Sequence, residues 1–207
     1  MKFGGTSVGD VAAFERVFHV ISTQLDKKPV VIVSAMTRVT DALLEAFDIA
    51  KKGDFAEAIA SLEPHFERHV EVAKTFLASD RPNAFNGELE FARGELSDLL
   101  MRVTRRSLPL QMLRDAIVSY GEQLSSRLLT EVLRAKAVNA RHVDARRLIV
   151  TDDEYGAAQA IWDETEKLVC LELEPIIGAA APDQAASPRA KRTPGRVPAR
   201  PLRPATA

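Results

Sequence analysis

The chain has 207 residues and a single cysteine, Cys170. One cysteine excludes an internal disulfide framework and a cysteine-based zinc site. Aromatic residues are scarce at 6 %. No apolar run approaches the ~20 residues that a membrane-spanning helix needs. No signal-peptide pattern opens the chain, because Met1-Lys2 runs straight into a glycine turn. Neither the Walker nor the Rossmann glycine pattern is present, and there is no internal repeat. Net charge is nearly absent too, at −1 from 28 basic and 29 acidic residues.

That balance hides an asymmetry. Residues 178–207 hold six basic residues, one acid (Asp183) and six of the eleven prolines. Residues 1–177 therefore keep 22 basic and 28 acidic residues, a net of −6. An acidic body argues against general nucleic-acid binding. The composition reads as one globular domain over 1–177, cytoplasmic, without membrane or nucleic-acid partners and acting on small molecules. The tail lacks hydrophobic periodicity and cannot bury enough surface to offset its ordering entropy, so it is expected to be disordered. Its Ala/Pro/Arg bias also fits out-of-frame translation of a GC-rich gene.

The body alternates strand and helix signals, the mark of an α/β domain. Val11, Phe14, Val17, Phe18, Ile21 and Leu25 form one face of a helix over 10–25, capped by Asp10 or Ser7. Pro29–Val33 reads as a β-branched strand buried on both faces. A helix is expected over 41–52. Charged helices follow over 54–106, with breaks at Pro64 and near 79–86. One long helix is expected over 110–136, short strands over 137–143 and 148–150, and a last helix over 163–177, with an end before Pro175 as the alternative.

The N-terminal string Lys2-Phe3-Gly4-Gly5-Thr6-Ser7 closes a strand and opens a helix. Two glycines let backbone N–H groups approach an anion, and the helix start behind them carries partial positive charge. Lys2 adds a full charge, and Thr6 and Ser7 add hydroxyls. By spacing alone this is either a phosphate cradle or a plain turn.

The whole string, however, strongly resembles the aspartate kinases of the amino acid kinase family. The resemblance continues through Val31–Met36 with Val39–Leu44, through Ser119-Tyr120-Gly121-Glu122-Gln123 to Leu128, and through Asp144–Ala158. It implies an αβα three-layer sandwich, here an incomplete N-terminal lobe, and transfer of the ATP γ-phosphoryl to the β-carboxylate of L-aspartate. That would be the first committed step toward lysine, threonine and methionine. Lys2 would stabilise the transferred phosphate. Phe3, Gly4, Gly5, Ser7 and Ser34 would belong to the nucleotide site, and Thr40 and Glu122 would hold aspartate, Glu122 through the α-ammonium. ATP and Mg²⁺ are the implied cofactors, and a homo-oligomer is left open.

Two departures stand out. Thr37-Arg38 occupy a place where the family often has glycine, so Arg38 either helps to hold an anion or is a solvated loop residue. The family's later Gly-Arg-Gly-Gly-Ser-Asp motif is absent, and the family-like register stops at 176–178. A truncated chain with little activity is therefore expected. The reading from another class is a non-catalytic fragment that binds an assembly partner.

Other candidates carry less. His65 and His69 lie four apart, but no His-Glu-x-x-His string or third ligand accompanies them, so a solvated helix face is expected. His19 and His142 read as structural. Asp152-Asp153-Glu154 reads as an acidic start to a helix. Arg102, Arg105 and Arg106 read as surface, Cys170 as a buried inert thiol, and Trp162 as packing.

Overall fold

A computed structural model describes residues 1–77 and 84–178. The expected break near 79–86 therefore falls largely, and the basic tail almost wholly, outside the described residues. Strand β1 (Lys2–Phe3) pairs in parallel with β2 (Ile32–Val33), Lys2 opposite Ile32 and Phe3 opposite Val33. Eight helices follow in the described residues: α1 (Val11–Ser22), α2 (Val39–Lys51), α3 (Phe55–Ala60), α4 (Glu63–Phe76), α5 (Ala84–Arg105), α6 (Leu110–Val118), α7 (Tyr120–Ala135) and α8 (Trp162–Gly178). The architecture is a mostly helical α/β fold with a partial sheet, as the alternation of signals predicts.

Helix α1 begins where Asp10 Oδ1 accepts from the Ala13 N–H at 2.8 Å, so Asp10 rather than Ser7 is the cap. Its inner stripe is Phe14, Val17 and Ile21, all buried. Leu25 leaves that stripe, because the helix stops at Ser22 and a 3₁₀ turn carries Leu25 into solvent. Pro64 sits in the first turn of α4, where its missing N–H costs nothing. Helix α2 packs on α3, α5 and α6, while α7 packs on α4, α5 and β2. Phe14, Phe85, Leu96, Leu100, Ile117 and Leu128 close this core. Each such side chain contributes about 1.5–3 kcal/mol.

Four expectations give way. Strand β2 is buried on one face only: Val33 faces the core while Ile32 is 61 % exposed, because among the described residues the helices cover a single face of the sheet. The single helix over 110–136 is two, meeting at Ser119. There Ser119 Oγ donates to Ala116 O at 2.7 Å, a back-bond of the kind that bends helices. No strand forms over 137–143. Instead Ala137 turns left-handed (φ 61°) and the Val138 N–H bonds Leu133 O at 2.9 Å, closing α7. Residues 148–150 form no strand either; the Val150 N–H goes to Thr165 Oγ1 at 3.0 Å, while its carbonyl accepts the Ile161 N–H at 2.8 Å beside the lone bridge Thr151–Ala160. The last helix forms as expected: α8 passes through Pro175 to Gly178 rather than ending before the proline. Pro175 is exposed, so the interruption falls on a solvent-facing turn.

Candidate active site

The site is assembled from three pieces of chain. The first is the turn after β1. Gly4 is extended (φ −77°, ψ 171°), and a 3₁₀ helix follows over Gly5–Val8, with the Ser7 N–H on Gly4 O at 2.9 Å. The second is the loop from Ser34 to Arg38 after β2. It ends at Arg38, whose left-handed backbone (φ 66°) starts α2. The third is the first turn of α7, which carries Gly121 and Glu122.

These pieces meet at Ala35. A Cβ on Gly5 would come within 2.9 Å of Ala35 O, and one on Gly121 within 2.7 Å of the Ala35 Cβ. Both glycines are therefore required by close approach. Glu122 Oε1 accepts from the Ala35 N–H at 3.3 Å. Ser125, fully buried one turn further along α7, donates to Ser34 O at 2.8 Å. Thr37 Oγ1 donates to Gly5 O at 2.8 Å.

An open cleft of about 450 Å³ lies between the pieces. Of the residues singled out in the sequence, Gly5, Ser34, Thr40 and Glu122 line it. Lys2, Phe3, Gly4 and Ser7 do not. Lys2 is exposed on the open face of β1, Phe3 packs half-buried on the core, Gly4 is exposed ahead of the turn, and Ser7 is half-buried within it. Arg38 lines the cleft and is exposed there, beside Asp41. The lining thus offers a guanidinium, two carboxylates and several hydroxyls, a set suited to a small zwitterion and to phosphate oxygens. A depression of about 540 Å³ bounded by Asp48, Lys51, Lys52 and Arg106 is larger. Those four side chains are all exposed, and no converging hydrogen bonds hold them.

Sequence reasoning missed Arg68 on α4. Its Nη1 donates to Thr37 O at 2.8 Å and its Nη2 to Gly9 O at 2.7 Å. No periodicity or motif marks it, because its partners are backbone carbonyls 31 and 59 residues away. Beside it, burial followed by the charges of Arg68 and Arg38 lowers the His65 pKa.

The remaining candidates resolve as follows. His69 is buried rather than solvated; its Nδ1 is 2.7 Å from His65 O and its ring stacks near Phe85. Burial pushes its pKa down to about 4. No group of three or more His, Cys, Asp or Glu that could hold a metal occurs among the described residues. Exposed His19 ends α1, and His142 Nε2 lies 3.1 Å from Ser126 Oγ. Asp152 does not start a helix. Its Oδ1 accepts from the Glu154 and Gln159 N–H groups at 3.3 and 3.1 Å and pins a loop ahead of α8. Arg102, Arg105 and Arg106 are exposed as expected. Cys170 is exposed, not buried, and Trp162 is 74 % exposed rather than packed, because α8 buries only Thr165.

The model of the Amino acid kinase family matches residues 1–181. The chain belongs to that family. It is 29 % identical over 175 residues to lysine-sensitive aspartokinase 3 of Escherichia coli, covering 84 % of this chain and 37 % of that protein. It is 32 % identical over 171 residues to the aspartokinase of Chlamydia muridarum, covering 79 % and 35 %. The crystal structure of E. coli aspartokinase III with aspartate and ADP superposes with a TM-score of 0.75 at 26 % identity, over 86 % of this chain and 38 % of that one. The same enzyme with lysine and aspartate gives 0.74. The chain thus spans somewhat over a third of the length of these relatives, and its fold is that of their N-terminal portion.

Among the described residues no helix is long and apolar enough to cross a membrane.

Proposed function

We propose that residues 1–177 carry the phosphate- and aspartate-binding side of an aspartate kinase, which transfers the γ-phosphoryl of ATP to the β-carboxylate of L-aspartate and yields 4-phospho-L-aspartate and ADP. The observation that carries this reading is the convergence of the Gly4-Gly5 turn, the Ser34–Arg38 loop and Glu122 on one cleft. The relatives named as aspartokinases, and the neighbour solved with aspartate and ADP, supply the substrate pair.

The residue chemistry supports the same division of labour. Phosphoryl transfer asks little covalent help and much positioning and charge neutralisation. The turn at Gly4 and Gly5 brings backbone N–H groups to the phosphates, with Phe3 anchoring it to the core. Ser34 adds a hydroxyl from the cleft lining, and Ser7 and Lys2, which stand outside that lining, would add a hydroxyl and a positive charge to phosphates that extend past it. Glu122, held by the Ala35 N–H, takes the α-ammonium of aspartate; Thr40 and Arg38 face the rest of that substrate. The described residues build no carboxylate cage for Mg²⁺. The ion would arrive on the nucleotide's phosphates, its usual mode in such sites, and would neutralise their charge there. The cellular setting that goes with this activity is cytoplasmic lysine and threonine biosynthesis.

The test is calorimetric titration of the full chain with L-aspartate, L-glutamate and ADP. Aspartate is expected to bind in preference to glutamate, and Glu122→Gln to abolish that binding. Equal binding of the two acids, or binding indifferent to Glu122, would sink the reading.

A second reading, a non-catalytic subunit fragment that docks on a partner, is favoured by the exposure of Ile32 (61 %), Leu171 (69 %) and Trp162 (74 %). Sedimentation of the chain at rising concentration, with and without other subunits, separates the two. The same run measures self-association.

A further inference from the structure

We propose that Arg68 is a positioning residue: its guanidinium clamps the glycine turn after β1 to the loop after β2 and so sets the width of the cleft between them. One nitrogen holds Thr37 O at 2.8 Å and the other holds Gly9 O at 2.7 Å. The planar fork matters. Two donors at fixed separation hold two carbonyls at fixed separation, which a lysine ammonium cannot reproduce.

The clamp acts on two segments that are already joined by the Thr37 hydroxyl on Gly5 O and by the close approaches of Gly5 to Ala35 and of Gly9 to Thr37. Gly9 ends the 3₁₀ turn whose first residue, Gly5, lines the cleft. Thr37 lines it from the opposite side. Arg68 itself does not line the cleft; it stands behind both segments on α4. The helix is fixed in turn, because Glu63 in its first turn takes a bidentate bond from Arg93 of α5 at 2.6 and 2.7 Å. A rigid helix thus sets the relative position of two short loops that otherwise share one hydroxyl bond and two tight glycine contacts. Without the guanidinium, Thr37 O and Gly9 O lose charge-assisted donors, and the loops can part. The consequence for catalysis rests on the aspartate-kinase reading; the clamp itself does not.

Amide hydrogen exchange on the full chain tests it with Arg68→Met and Arg68→Lys. The reporter amides are Ser7, bonded to Gly4 O, and Ala35, bonded to Glu122 Oε1. Leu100 and Leu128 in the helical core are the references. In Arg68→Met, the reporters are expected to exchange on the order of tenfold faster relative to the references, as loss of charge-assisted bonds implies. Arg68→Lys should fall between. Unchanged reporters, or acceleration of all four amides alike, would overturn the clamp; the second outcome would make Arg68 a global stabiliser only. If Arg68→Met fails to fold, the same contrast is read in Arg68→Lys against the parent chain.

Titration with L-aspartate and ADP separates the two claims. Weaker binding in step with faster exchange supports the positioning role, and unweakened binding with loosened loops overturns it. A parent chain that binds neither ligand removes the functional reading while the exchange contrast still decides the clamp.

Discussion

Gly121 of α7 faces Ala35 of the loop after β2 so closely that a Cβ added to it would lie 2.7 Å from the Ala35 Cβ. Neither atom is the end of a flexible side chain, so one backbone must move. Replacing a helical glycine by alanine ordinarily favours the helix by about 1 kcal/mol. Here overpacking, typically about 1–3 kcal/mol, opposes and exceeds that gain. Gly121→Ala is expected to lower stability in urea denaturation and to displace the loop that carries Ser34. A variant more stable than the parent would show that the two segments are not in contact.

Ser125 sits behind the same loop. Its hydroxyl is fully buried and donates to Ser34 O at 2.8 Å. Ser125→Ala leaves that carbonyl without this donor and should cost about 1–2 kcal/mol in denaturant unfolding, with the m-value unchanged. A change within error would mean that the carbonyl finds another partner.

His69 links pH to stability. Burial lowers its pKa from the ordinary 6.5 to about 4 in the folded chain. Between those values the unfolded chain binds the proton and the folded chain does not, so stability is full above pH 6.5 and falls as the pH drops toward 4. The loss from this group is on the order of 3 kcal/mol. His65 and His142 are also lowered and add smaller contributions of the same sign. Thermal melts from pH 7.5 to 4.5 should show the decline, and His69→Leu should flatten most of it. An equal slope in both proteins would place the titrating group elsewhere.

Arg93 lies 4.6 Å over the Phe66 ring while bonding Glu63 with both terminal nitrogens. Glu63 is half exposed, which screens the pair. Arg93→Ala should therefore cost only about 1 kcal/mol, mostly through the bidentate geometry and the lost ring contact. A double-mutant cycle with Glu63→Ala measures the coupling, and additivity of the two losses would refute it.

Cys170 is exposed on α8. A maleimide should label the native chain to one equivalent without denaturant, since this is the chain's single cysteine. Protection until unfolding would mean that α8 is covered in solution.

Much of this protein is legible from residue order alone. The stripe Phe14, Val17, Ile21 determines a helix and its inner face, since a 3.6-residue period admits one buried side. Asp10 marks where that helix starts, through a bond three residues long. The glycine turn and the Gly121-Glu122 pair are legible for the same reason, because each is a local string. The failures are equally physical. Residues 137–143 and 148–150 have strand-like composition, but strands need neighbours; here helix termination takes the first stretch, and in the second Ala145 O and the Thr165 hydroxyl take the N–H groups, leaving one carbonyl bond to Ile161. Cys170 and Trp162 have core-like chemistry on a helix that tertiary packing leaves open.

Composition and local pattern thus determined the α/β alternation, the helix faces and the family. Tertiary structure alone decided that Ala35 is where three segments meet, that Lys2 stays outside the cleft and that Arg68 joins its two loops from behind. Local bonds are written in neighbouring residues, whereas a guanidinium that reaches carbonyls 31 and 59 positions away leaves no trace in either stretch of sequence.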